Sequence, residues 1–180
     1  MQKHCTNKHN PSRHVESAVG VPVGRKLTLL ILKHLAEHKP PPPYLFGSWK
    51  KQTRKMSEMK RLGYITKNNK LACRGAYLLG EDKIWSLTIP KPKRWDKKWH
   101  MVLYDIPAKK SKQRNSFRTR LKELGLVLYQ NSVWVYPYPP EKTIQAISDF
   151  YMISDCVLFA VAETLNGEQK LKRHFKLKEQ

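Results

Sequence analysis

The chain has 180 residues, 40% of them hydrophobic, and carries a formal charge of +21 from 35 Lys and Arg against 14 Asp and Glu. That length suits one ordinary domain or two small ones. The charge favours a polyanion. No apolar run approaches the ~20 residues that cross a bilayer, and the polar start MQKHCTNKHNPSRH does not read as a signal peptide. A membrane protein is therefore not expected, and nucleic acid in the cytoplasm is the expected partner.

Residues 1–20 read as a basic, disordered tail. His4, Cys5, His9 and His14 within it match no standard zinc-ligand spacing. Cys5, Cys73 and Cys156 lie far apart with no C-x-x-C, so no disulfide framework is expected. From Gly24 to His38 the spacing predicts a helix, with Leu27, Leu30, Ile31 and Leu35 on one face. The prolines of KPPPPY end it. SWKKQTRKMSEMKRLGYI predicts a second helix, with Ser48 as N-cap, Gly63 as C-cap, and Trp49, Thr53, Met56 and Met59 or Lys60 along one face. YITKNNKLACRGAYLL then reads as a strand, a turn at Asn68-Asn69, and a second strand or short helix.

The stretch around Pro90 and Pro92 reads as a linker. Residues 1–97 hold 21 Lys/Arg against 6 Asp/Glu, and residues 98–180 hold 14 against 8. This asymmetry supports two domains with different tasks. Beyond the linker the pattern alternates. WHMVLYDI predicts a strand. KKSKQRNSFRTRLKELG predicts a helix that buries Phe117, Leu121 and Leu124. LVLYQNSVWVYP is β-rich, one long strand or two joined near Asn131. PEKTIQAISDFYMI predicts a helix, and DCVLFAVAETL a last strand. The expected fold is α+β, with this half laid out β-α-β-β-α-β like a ferredoxin. Four segments are expected: tail 1–20, DNA-binding domain 21–92, ferredoxin-like dimerisation domain 93–165, and a basic tail 166–180 that can be helical.

The first half resembles a winged helix-turn-helix domain, carried by the first helix, the helix ending MKRLGYI, and NNKLACRGAYLL as a wing. The four prolines leave room for only a single-turn middle helix around Tyr44 to Phe46. Such a domain binds duplex DNA with the exposed stripe of its second full helix. Here that stripe holds Lys50, Lys51, Gln52, Arg54 and Lys55, while Lys67, Asn68, Asn69, Lys70 and Arg74 lie on or near the wing. Lysines suit phosphates; arginine and glutamine also read base edges. A solvated basic helix is the plain alternative.

The second half carries a linked pattern: Trp95, Trp99, VLYDIP, a basic helix ending LKELG, and YQNSVWVYP. It resembles the central domain of the PaaX family of transcriptional repressors, which is in turn similar to the small CRISPR-associated nuclease subunit of spacer acquisition. The residues that carry this are Tyr104, Asp105 and Ile106, then Gln130, Ser132 and Val133. The resemblance implies a homodimeric DNA-binding repressor with no cofactor. The C-terminal third domain of PaaX has no room here, so a response to phenylacetyl-CoA is not expected.

The resemblance also implies an alternative, a magnesium-dependent nuclease or spacer-acquisition subunit in which Asp105 meets its twin across a dimer axis. A carboxylate pair with waters can hold Mg²⁺. No spacing places Glu123, Asp149, Asp155 or Glu163 beside Asp105, and His100, five residues away on a strand, points to the other face. The plain readings of Asp105 are a helix-approach residue paired with Lys109, Lys110 or Arg114, or an interface charge. Trp95, Trp99, Trp134, Tyr129, Tyr136 and Tyr138 suggest either base stacking or, more simply, an aromatic seam to another domain or subunit.

Overall fold

The computed structural model describes residues 23–177, so the N-terminal tail and its His and Cys residues lie outside the described residues. The chain divides into two compact units after Asp82. The division falls inside a helix rather than in the Pro-rich stretch. Ile84 and Ile89, at the approach to that stretch, are already buried in the core of the second unit. Among the described residues no helix is long and apolar enough to cross a membrane.

The first unit begins with helix α1 (Val23–Ala36). It buries Thr28, Leu29, Ile31 and Leu32, while Leu30, expected inside, is 44% exposed. The prolines then hold the chain extended as far as a single 3-10 turn at Pro43–Leu45. Helix α2 (Trp49–Arg61) follows, and the Ser48 side chain accepts from the Lys51 amide at its start. Its C-terminus closes at Gly63, whose φ of +72° suits a residue without a Cβ. Ile31, Leu32, Phe46, Met59 and Ile65 form the core.

The expected wing is reduced. An isolated bridge joins Ile65 to Leu71 around a tight turn, in which the Thr66 amide donates to the Lys70 carbonyl at 2.8 Å. Of the two readings of the residues after the turn, a second strand or a short helix, the helix is found, as α3 (Cys73–Ser86). Gly75 allows this, because a Cβ there would sit 2.3 Å from the Tyr64 carbonyl oxygen. Cys156 is a free thiol.

The second unit is a four-stranded antiparallel sheet with helices. Its elements are β1 (Trp99–Tyr104), α4 (Ser111–Glu123), β2 (Val127–Gln130), β3 (Val133–Tyr136), α5 (Glu141–Phe150), β4 (Val157–Ala162) and α6 (Glu168–Phe175). The strand order is β2-β3-β1-β4, with Val102 opposite Trp134 on one side and Phe159 on the other. Strand alternation sorts the sheet into two faces. Val102, Tyr104, Trp134 and Tyr136 pack with Phe117 and Leu121 of α4 and Ile144 and Ile147 of α5. Trp99 and Val135 lie in a second cluster with Leu171 of α6.

Two expectations change here. The aromatic side of β3 is not a seam to another domain or subunit: Trp134 and Tyr136 are buried in the unit's own core. The segment expected as a basic tail folds back as α6, with Phe175 5.6 Å from Tyr136 and 6.2 Å from Trp99. Arg120 is also part of this core. It donates to the Leu87 carbonyl and stands 5.2 Å from the Trp85 ring, and burial pulls its pKa down.

Candidate nucleic-acid interface

Helix α2 is built to face two environments. Met59 is fully buried, and Gln52, Lys55, Met56 and Leu62 are half-buried beside it. The inward stripe is therefore rotated by about one position from the expected one, and Trp49 and Thr53 turn outward. Trp49 is 78% exposed. It sits at the first helical position, directly after the cap and before the helix meets the core. Tyr44, on the preceding 3-10 turn, is 79% exposed.

The outward face carries Lys50, Lys51, Arg54, Lys60 and Arg61, all exposed. The one acid of α2, Glu58, binds Lys55 at 3.1 Å. Lys55 is thus engaged within its own helix, whereas Lys50, Lys51 and Arg54 have no ion pair among the described residues. Thr53, expected on the buried face, and Ser57, which sequence reasoning did not single out, add small polar groups to the same side. Their signal was present in the spacing once Met59, rather than Lys60, is taken as the centre of the buried stripe.

The turn residues separate. Lys67, Asn68, Asn69 and Lys70 are exposed, with Asn69 at φ +58°. Asn69, Lys70 and Gln52 line one open cleft with Trp49, Lys60 and Lys39, a cleft with an apolar floor and a cationic rim. Arg74 serves the fold instead. Its guanidinium donates to the Leu62 carbonyl at 2.9 Å and lies 5.3 Å from the Tyr64 ring.

Asp105 ends β1. Its amide donates to the Cys156 carbonyl at 2.9 Å, and its side chain is exposed. It has no ion pair with Lys109, Lys110 or Arg114. Lys110 donates instead to the Met152 carbonyl at 2.6 Å. His100 lies away from Asp105, as alternation implied, and binds Glu141 at 3.0 Å and Asp96 at 3.5 Å. Among the described residues no group of three or more His, Cys, Asp or Glu converges to hold a metal.

The aromatic residues that could have stacked on bases are mostly engaged internally. Trp99 and Trp134 are buried, Trp95 donates to the Lys98 carbonyl at 2.9 Å, and Tyr129 donates to the Asn166 carbonyl at 3.0 Å. Exposed aromatic surface lies on the first unit, at Tyr44 and Trp49.

Residues 92–173 match the family model of the PaaX protein central Cas2-like domain. The match covers the sheet, α4, α5 and most of α6, just under half of the chain. No curated protein matches the chain. The PaaX-like unit contains Asp105 and the buried aromatic face, whereas α2 and its basic surface lie outside the matched residues.

Proposed function

We propose that the protein is a sequence-specific, duplex-DNA-binding transcriptional regulator, a repressor, that acts as a homodimer. In this reading residues 23–82 are a winged helix-turn-helix with a shortened wing, and α2 is its recognition helix. The PaaX-like unit is a ferredoxin-like dimerisation domain.

The observation that carries the reading is the outward face of α2. It offers Lys50, Lys51, Arg54 and Arg61 with no uncompensated acid, on a helix held by Met59 and capped by Ser48. A helix of that kind fits the major groove, with lysines on phosphates and Arg54 available to a guanine edge. The PaaX-like match and the net charge agree with it.

The test is binding of fluorescent duplexes, selected from a random pool, against unselected duplexes over a range of salt. The reading expects tighter binding to the selected sites and a linear fall of log K with log salt. Arg54→Gln should cost about 1–3 kcal/mol on the selected site and relax the preference at one base position. Equal affinity for both pools would remove the reading. The alternative, a magnesium-dependent nuclease built on Asp105, needs a second copy to supply a second carboxylate, and it draws its support from the Cas2-like match and the exposed, unpaired side chain of Asp105.

A further inference from the structure

The most basic helix of the second unit has no role in the reading above. Helix α4 buries Phe117, Arg120 and Leu121 on one side. Its other side presents exposed Lys112, Arg118 and Lys122, with half-buried Arg114 at the edge of that side, interleaved with Ser111, Asn115 and Thr119. Glu123 is the one acid on the helix, and it lies 3.5 Å from Arg120 on the inner side. Arg114, Arg118 and Lys122 have no side-chain hydrogen bond or ion pair among the described residues.

This arrangement works against the helix that carries it. Like charges four residues apart repel, and Arg114, Arg118 and Lys122 form two such pairs in succession. Cations also oppose the positive end of a helix dipole. Helices α5 and α6 each place an acid in their first turn, Glu141 and Glu168. Helix α4 has no acid there and no side-chain cap, and Lys109 and Lys110 precede it.

Nearby acids do not compensate. Asp105 extends from the sheet face opposite the one that packs on α4. Asp149 of α5 is taken up by hydrogen bonds from Gln145 and Ser154. An external polyanion would relieve both the repulsion and the uncapped terminus.

We propose that α4 is a second nucleic-acid contact, a backbone clamp that grips the phosphates of duplex DNA independently of α2. Residues four apart on a helix rise about 6 Å, so Arg114 to Lys122 span about 12 Å. That is about three to four phosphates of one strand at ~3.4 Å of axis each. A row of cations with hydroxyl and amide groups between them holds a backbone without reading its sequence. The clamp rests on the reading that duplex DNA is the partner.

The experiment compares the full chain with two variants, Arg114→Gln/Arg118→Gln/Lys122→Gln on α4 and Lys50→Gln/Arg54→Gln on α2. Anisotropy is measured on a selected and an unselected duplex of about 40 base pairs across a salt series. Losing three phosphate contacts should lower the slope of log K against log salt by about 2.7, at roughly 0.9 per contact. The loss should be equal on both duplexes and leave their affinity ratio unchanged. The α2 variant should instead shrink that ratio. Arg114→Lys/Arg118→Lys, which keeps the charge, should retain the wild-type slope. An α4 triple variant that matches wild type in slope and affinity overturns the clamp and leaves the α2 reading standing. Failure of the wild-type chain to bind duplex DNA removes both. A slope change seen on RNA but not on duplex DNA also overturns the clamp as stated.

Discussion

The Asp105 amide donates to the Cys156 carbonyl at 2.9 Å and ties the end of β1 to the start of β4. The bond uses the backbone alone, so the carboxylate is left exposed at the rim of the sheet without a partner among the described residues. Asp105→Asn should therefore shift the melting temperature by no more than about 2 °C, as for a surface change that touches no fold contact. Incubation of DNA and RNA with the protein and Mg²⁺ should give no cleavage in wild type or variant. Metal-dependent cleavage that vanishes in Asp105→Asn would reinstate the nuclease reading.

Gly75 holds the junction between α3 and the short turn. A Cβ at this position would meet the Tyr64 carbonyl oxygen at 2.3 Å, Leu71 Cδ1 at 2.9 Å and Leu32 Cδ2 at 3.0 Å. The backbone contact cannot yield by a rotamer change, so the start of α3 must move away from the Tyr64 backbone. Gly75→Ala should destabilise the first unit by about 1–3 kcal/mol, the usual range for overpacking. Calorimetry would show the loss, and an unchanged transition would mean that α3 docks loosely.

The second unit was legible at the level of its elements because each follows one clear period. Phe117, Leu121 and Leu124 mark α4, and Ile144 and Ile147 mark α5, at helical spacing. Asn131 breaks the β-rich run at the turn, at φ +30°. The first unit misled where one residue decided the outcome. LACRGAYLL reads either as a strand or as a short helix, and the close approach at Gly75 goes with the helix. Trp49 looks like a core residue by type, but its place at the start of α2 puts it outside. The packing of α6 was hidden by charge: KLKRHF reads as a basic tail, helical or not, yet Leu171 and Phe175, four apart, carry its packing. The side of β1 on which Asp105 lies was legible, but which side meets α4 and α5 was not, because both faces of β1 are apolar.

Strand β4 ends the sheet, and its six residues, Val157 to Ala162, include no charge. Proteins normally protect such an edge with charge, proline or a covering element. Leu158 is 68% exposed and sits opposite Leu103 in the register. On the proposed function this apolar edge is where a second copy packs. Leu158→Lys should convert a dimer into a monomer in sedimentation experiments at micromolar concentration, with the melting temperature of the monomeric unit retained. A wild-type chain that sediments as a monomer across that range would end the dimer proposal.

Glu168 fastens the last helix to the sheet. Its carboxylate accepts from Lys172 at 2.7 Å and from the Trp99 indole at 3.3 Å, and these bonds hold its pKa below the ordinary glutamate value. A carboxylate depressed in the folded state contributes stability at pH above its unfolded value. That contribution fades as pH falls through the folded value. Acidification below the ordinary glutamate range should therefore loosen α6 from Trp99, while neutral pH leaves it docked. The Trp99 indole N–H resonance should move over that acid range in wild type. In Glu168→Gln it should hold still, because an amide oxygen accepts the same bond without titrating. Equal movement in both proteins would trace the change to other carboxylates and not to the α6 fastening.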